Sequence, residues 1–495
     1  MRYRQYLRER YRWILGYSGT IWVIIALLIL SPLLALPFFP EERPLAAAFA
    51  GPGLLLLLAG VLARRLLPAQ ENVGLSILEG SVIVVLTWTA ALVVGAIPLV
   101  SGVGLTPTQA LFESTSGWTT TGLSVLDVDQ TPALVLLYRS ITQLAGGAGF
   151  AIIILTALAG PVGMGLSSAE GRGEQLEPHV RQSASIVLRL YSVYVLLGIL
   201  ALRGAGMSWF DAVNHAFAAL STGGFSTRSA SLGYWDSPLL EAVTIVLMLL
   251  GTINFLISYA ALKGKWRAFL RSSEVHVLGV MIAVGVLVLG LGVTRDLYPT
   301  PGKALRVALF ESVSAISTTG FATVSYLPWP GLGWFTLTLF MLIGGGSGST
   351  AGGIKQARVY VLAKSLWWQI RGAFQPRNTL RELDIWQGEE RRFLGDAEVR
   401  VTAIFVFTHL AVFVLGAGIL IAYGYDVAAS LFEFASAIST IGLSVGVTSA
   451  DAPAGVLWAM TAGMFLGRLE FFAVFTGVAK LLVDGRWLIL PRGDP

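Results

Sequence analysis

Four stretches of the chain repeat one pattern of hydroxyl residues closing on glycine. They are "LFESTSGWTTTGLSV" from Leu111, "VNHAFAALSTGGFST" from Val213, "LFESVSAISTTGFAT" from Leu309 and "LFEFASAISTIGLSV" from Leu431. Aligned, they place Gly122, Gly224, Gly320 and Gly442 at one position. What such segments offer chemically is backbone oxygen. Glycine reaches dihedral angles closed to other residues, so it can aim its carbonyl at an axis. Segments converging on one axis would ring it with carbonyls of Thr120, Thr121 and Gly122, of Thr222, Gly223 and Gly224, of Thr318, Thr319 and Gly320, and of Thr440, Ile441 and Gly442. Such rings replace the hydration shell of a monovalent cation. One copy alone would read as an external turn; four copies at matched positions argue against that.

A second group lies at 341–358, "MLIGGGSGSTAGGIKQAR". Gly344, Gly345, Gly346, Gly348, Gly352 and Gly353 disfavour a continuous helix. A nucleotide-binding P-loop needs Gly-Lys followed by Ser or Thr, whereas Lys355 stands between Ile354 and Gln356. Two readings remain: a helix kink packed on a neighbour, or an unwound loop lining a pore beneath the carbonyl ring. Arg468 and Glu470, in "GMFLGRLEFF", fall inside the last apolar run, where a charge faces a cavity or a partner. A buried Arg468–Glu470 or Arg468–carbonyl pair that orients helices is the plain alternative. Glu113, Glu311 and Glu433 share one position in three repeats, and His215 holds it in the second. The expected role is an acid bonded to backbone N–H groups behind the ring, because exposed carboxylates would favour divalent ions. Arg228, in "GGFSTRSAS", reads as a solvated loop charge.

Membrane helices have to position these residues. Of 495 residues 55% are hydrophobic and 13% charged, with a mean hydropathy of +0.72; a soluble domain carries about 25% charge. Apolar runs long enough to cross a bilayer fall at 13–38, 45–66, 77–100, 133–159, 184–203, 239–262, 275–294, 333–354, 401–423 and 455–482. The first is too long for a signal peptide and lacks a small-residue cleavage site. With no cysteine, disulfides, thiolate catalysis and Cys-based metal sites are excluded. The net charge of +5 does not point to nucleic acid, since the basic residues stand between apolar runs. If every run crosses once, Arg2 to Arg12, Arg64, Arg65, Arg172, Arg181, Lys263 to Arg271, Lys364 to Arg392, Arg486 and Arg492 share one side. That side is the cytoplasm by the positive-inside rule, with both termini there.

Each repeat also opens like a helix. Thr106 and Thr300 stand as N-caps before Pro107 and Pro301, and Ser208 and Asp426 offer caps in the other two. Each helix would run about ten residues, too short to span, so it should enter the membrane and turn back. Non-helical backbone at that depth is tolerated inside protein or along a water-filled cavity. The negative C-terminal ends of these helices also favour a cation. Repeat intervals of about a hundred residues are too long for a solenoid. The fold class expected is an all-α polytopic membrane protein with four pseudo-symmetric span–pore-helix–span repeats around a central pore. The repeats fall at 73–160, 161–270, 271–370 and 371–495, after an N-terminal two-helix hairpin at 1–72. The third contains the glycine loop. The longest cytoplasmic loop, near 365–400, is short and charged, so no soluble regulatory domain is expected.

No enzyme motif stands out. There is no His/Glu metal pair at helical spacing, no G-x-S-x-G elbow and no Rossmann fingerprint. His179, His215, His276 and His409 are scattered. A secondary transporter coupling potassium or sodium to another ion or solute is the stronger alternative. Such folds usually show two inverted repeats, whereas the four units here share one orientation.

Four span–pore-helix–span units with one filter glycine each resemble the superfamily of Trk, Ktr and HKT potassium transporters, over nearly the whole chain. The N-terminal hairpin and "LEPHVRQSA" at 176–184 look like the TrkH branch more than the KtrB branch. In this superfamily a serine at the first filter glycine goes with sodium permeation, so Gly122 implies potassium selectivity. The resemblance implies that the loop of Gly344, Gly345, Gly346, Gly348, Gly352, Gly353 and Lys355 is an intramembrane gate. It implies that Arg468 adds a positive potential below the filter and holds loop carbonyls. It further implies potassium uptake across the cytoplasmic (inner) membrane by a homodimer set in membrane lipid. That dimer would dock on a separate cytoplasmic ring of the TrkA or KtrA type. Nucleotide would bind that ring, leaving no cofactor in this chain and potassium as its substrate.

Overall fold

The computed structural model describes residues 2–67, 75–147, 149, 180–374, 383–387 and 390–489. Expectations for the second half of run 133–159, for 176–179, and for Arg172, His179, Arg377, Arg381 and Arg492 lie outside these residues. The regular structure of the described residues is helical apart from one antiparallel hairpin, Asp384–Gln387 paired with Glu390–Phe393.

Among the described residues, six helices are long and apolar enough to cross a membrane: Tyr3–Ala35, Pro40–Leu66, Ile77–Val103, Ser185–Gly204, Ser273–Leu297 and Asp396–Ala422. They coincide with six of the apolar runs. The run 333–354 ends its helix at Ile343 and resumes as Gln356–Ala373, as its glycines require. Two further runs, expected to be continuous, are broken. Run 239–262 is Pro238–Thr252 followed by Phe255–Leu262, bent by 111°. Asn254 starts the second piece as an N-cap, its Oδ1 accepting from Leu256 N at 2.8 Å. Run 455–482 is Ala454–Arg468 followed by Phe472–Ile489, with Glu470 and Phe471 at φ of +55° and +47° between them.

Four short helices alternate with these spans: Pro107–Trp118, Trp209–Leu220, Pro301–Ile316 and Val427–Ile438. At 12 to 16 residues and a rise of about 1.5 Å each, they fall short of a bilayer core of about 30 Å. All four begin on the capping residues that the sequence indicates. Thr106 Oγ1 accepts from Gln109 N at 3.4 Å, Ser208 Oγ from Asp211 N at 3.0 Å, and Thr300 Oγ1 from Lys303 N at 3.3 Å. The Asp426 carboxylate accepts from Ala428 N at 2.9 Å.

Packing divides the chain into two units. The first is Met1–Trp118, Gln130–Arg189 and Leu469–Pro495. Within it the first two helices approach closely through glycine: a Cβ on Gly60 would lie 2.7 Å from Gly19 O, the small-residue contact typical of membrane helices. Among its described residues, buried charges pair as Arg10 with Glu79, Arg139 Nε with Glu113 Oε1 at 2.7 Å, and Asp484 with Lys480 at 2.8 Å. The second unit is Thr119–Asp129 and Leu190–Arg468. It contains all four Ser/Thr–Gly segments, the glycine loop and Arg468.

Candidate functional site

The short helices end in a way the sequence did not announce. Thr318 N donates to Ala315 O at 3.2 Å and Thr319 N to Ser314 O at 3.1 Å. The same pair recurs as Thr222 N to Ala219 O and Gly223 N to Ala218 O, and as Thr440 N to Ala437 O and Ile441 N to Ser436 O. These are Schellman ends, whose left-handed residue is usually glycine. Here it is threonine: Thr222, Thr318 and Thr440 have φ of +52°, +57° and +54°, and Thr120, at the matching position of the first segment, has +58°. A β-branched residue in that region is strained and persists where its surroundings over-determine it. Two residues on, Gly122, Gly224, Gly320 and Gly442 are again at positive φ, +91°, +72°, +83° and +102°.

The four glycines also have no room for a side chain, and the obstructing atoms form a cycle. A Cβ on Gly122 would overlap Gly223 O; on Gly224, Thr319 O; on Gly320, Ile441 O; and on Gly442, Thr121 O. Each segment therefore abuts the carbonyl preceding the glycine of the next, and the fourth returns to the first. The oxygens of Thr121, Gly223, Thr319 and Ile441 are equivalent members of this closed ring. Neighbouring hydroxyls pair among themselves, Thr119 with Thr121 and Ser317 with Thr319, both at 2.8 Å.

The shared acidic position braces the chain as it leaves the ring. Glu311 Oε1 accepts from Thr323 N at 2.8 Å and from Thr323 Oγ1 at 2.6 Å, and Oε2 from the Tyr326 hydroxyl. Glu433 accepts from Val445 N at 3.0 Å, Thr448 N at 2.9 Å and Ser444 Oγ at 2.8 Å. His215 bonds Asp211 O at 2.8 Å and Ser226 Oγ at 2.9 Å through its two ring nitrogens. Glu113 pairs with Arg139. Arg228, expected to be solvated, lies 4.7 Å from the Tyr234 ring centroid and 3.4 Å from the Asp211 carboxylate. The loops beyond the ring interlock. Asp129 accepts from Ser229 N and Oγ, bonds that hold its carboxyl below the usual range, and Gly233 N donates to Ala322 O at 3.1 Å.

The glycine loop lies against the helix ends that precede the ring. Thr350 Oγ1 is 3.0 Å from Leu220 O, Gly352 N donates to Thr318 Oγ1 at 2.8 Å, and a Cβ on Gly352 would overlap Ser439 O. The loop thus touches the ends of the second, third and fourth short helices. Gly344, Gly348, Gly353 and Lys355 take positive φ, of +69°, +65°, +75° and +80°. Gly345 N donates to Gly352 O at 3.3 Å and closes the loop on itself. The break in the bent span meets it: Gly346 N donates to Thr252 O and Thr350 N to Gly251 O, each at 3.1 Å. Arg468 Nη1 donates to Thr350 O at 2.8 Å, and Lys355 Nζ donates to Ala351 O. Arg468 ends a helix whose Gly467 abuts Ile438 O of the fourth short helix. Sequence reasoning missed Thr252 and Glu274, which accept from the loop at Gly346 N and Ser347 N, and Asn254, which caps the helix beside it. Chemically, a ring of carbonyls can bind a dehydrated monovalent cation, and a segment packed on the adjoining helix ends stands where it could line or obstruct a path to that ring.

A family model described as TrkH, cation transport protein, matches residues 56–487. The Trk system potassium uptake protein TrkH of Halomonas elongata is 30% identical over 487 residues, covering 94% of this chain and 97% of that protein. The protein of the same description from Escherichia coli K12 is 31% identical over 421 residues, 82% of this chain and 86% of its own. The crystal structure of the potassium transporter TrkH from Vibrio parahaemolyticus superposes with a TM-score of 0.81 at 28% identity, covering 95% of this chain and 98% of that one.

Proposed function

The chain belongs to the TrkH family of cation transport proteins, and on that premise we propose that it takes up potassium through the carbonyl ring, with the glycine loop as its gate. The observation that carries this reading is the closed cycle in which each of four glycines abuts a backbone carbonyl of the next segment. Carbonyl rings suit a cation that sheds its water at moderate cost. The carboxylates of Glu311 and Glu433 are occupied by the chain behind the ring, which argues against a divalent ion. Potassium over sodium is supported by the potassium uptake proteins among its relatives and by glycine rather than serine at 122.

The gate reading rests on the loop's contacts with three of the helix ends and on its charge. Arg468 and Lys355 place two cations on carbonyls of residues 350 and 351, a local barrier to a cation leaving the ring. The protein works in the inner membrane with both termini in the cytoplasm, as a homodimer docked on a cytoplasmic nucleotide-binding ring that relieves the barrier. Nucleotide binds the ring and not this chain. The test is uptake in a cell that lacks its own potassium transport, with and without the ring protein. Potassium uptake that exceeds sodium uptake and rises with the ring is expected. Uptake that saturates with an organic solute, or equal rates for both ions, would favour a coupled secondary transporter instead.

A further inference from the structure

The two halves of the glycine loop are held by groups of opposite charge. Residues 350 and 351 offer their carbonyls to Arg468 and Lys355. Residues 346 and 347 offer their N–H groups instead. Gly346 N donates to Thr252 O at 3.1 Å, and Ser347 N donates to Glu274 Oε1 at 2.8 Å. Glu274 lies in the first turn of the helix Ser273–Leu289, 8% exposed, and its Oε2 is 3.4 Å from where Gly346 would bear a Cβ. Hydrogen bonds to an ionised group are roughly twice as strong as neutral ones. An acid inside a membrane protein is costly without a partner. Here the loop's own backbone is such a partner, so acid and loop stabilise each other.

We propose that Glu274 is a positioning residue that fixes the first half of the loop in place, as Arg468 fixes the second. Its consequence for ion flux rests on the loop being the gate; its consequence for loop position does not. Without the carboxylate, Ser347 N loses its acceptor, and this half of the loop is held by the bond from Gly346 N to Thr252 O without the charged one beside it. Glutamine at 274 keeps an acceptor oxygen but not the charge, so it should loosen the loop less than alanine does.

The chain has no cysteine, so Ser349→Cys introduces a single thiol at a loop position that is 4% exposed. In vesicles containing the full-length Ser349→Cys protein, its modification rate by a charged thiol reagent is measured alongside potassium flux. Both are then repeated with Glu274→Ala or Glu274→Gln added. Modification should quicken by at least about tenfold with alanine, the lower bound for loss of one charge-assisted hydrogen bond, and less with glutamine. Flux should rise in the same order. Quicker modification with unchanged flux would uphold the positioning role and overturn the loop as gate. Equal modification rates in all three proteins would overturn the positioning role. If the alanine variant does not assemble, the glutamine variant decides between these outcomes.

Discussion

Replacing Gly320 by alanine tests the ring at its tightest point. The backbone there has φ of +83°, and the new Cβ would overlap Ile441 O while lying 2.6 Å from Ile441 C and 3.0 Å from Gly442 Cα. A left-handed dihedral costs a non-glycine residue about 1–2 kcal/mol, and overpacking a tight site costs about 1–3 kcal/mol more. The obstructing atoms are backbone, so relief requires tilting the Ile441 peptide, which turns its carbonyl away from its three counterparts. A combined cost of about 3 kcal/mol lowers the weight of the native ring roughly 100-fold. The assay is potassium and sodium flux in reconstituted vesicles, with folding checked by gel filtration. Gly302→Ala is the control: it lies in the first turn of Pro301–Ile316, the short helix that precedes Gly320, with nothing within 4 Å of a new Cβ. It should be neutral or mildly stabilising. Gly320→Ala should reduce both potassium flux and its preference over sodium. A folded Gly320→Ala protein with unchanged rate and preference would refute the assignment of this carbonyl ring to conduction.

Other substitutions probe the neighbouring parts. Deleting residues 346–352 should raise flux and make it less dependent on a cytoplasmic partner; Arg468→Ala should act in the same direction, and the two should combine less than additively because both weaken one barrier. Glu311→Ala removes the acceptor of Thr323 N and the Tyr326 hydroxyl, so thermal stability in detergent should fall by about 1–3 kcal/mol for each donor left unpaired. Asp236, outside the spans, is held below the usual carboxylate range by a hydrogen bond from Lys303 and by the charges of Lys303 and Arg306. Its pKa is thus lower in the folded state, so its stabilisation is present above about pH 4 and lost as pH falls through the folded value. Its side chain is 59% exposed, so the effect should stay below about 1 kcal/mol. Asp236→Asn should lower the unfolding temperature slightly at neutral pH, and acidification should close the gap to the unsubstituted protein. Single cysteines at Ser101 and Asp296 should react with impermeant reagents from outside and one at Arg271 from inside; the reverse would mean an odd error in the number of crossings.

Much of this architecture was legible because membrane helices are encoded locally. Six long spans follow from apolar length, and the four short helices announce themselves through Thr106, Ser208, Thr300 and Asp426. The break after Ile343 follows from its glycines. The break at Thr252–Asn254 was hidden because "GTINFLIS" lies inside a long apolar run and lacks proline; it is maintained by loop N–H groups that reach Gly251 O and Thr252 O from about 95–100 residues away in sequence. The same limit applies at 469–471. The left-handed threonines were hidden for another reason: propensity places glycine there, and no property of a lone threonine signals strain imposed by neighbouring segments. Glu274 resembles any acid in the first turn of a span, and its link to Ser347 depends on tertiary packing.

The most direct measurement of the central proposal is anomalous X-ray scattering from crystals of the transport-competent protein in thallium or rubidium, which replace potassium. A peak is expected on the axis of the ring, bounded by the carbonyl oxygens of Thr121, Gly223, Thr319 and Ile441. Sodium should compete poorly for that position. An empty ring at saturating ion, with heavy-ion density at side-chain carboxylates elsewhere, would contradict the proposal.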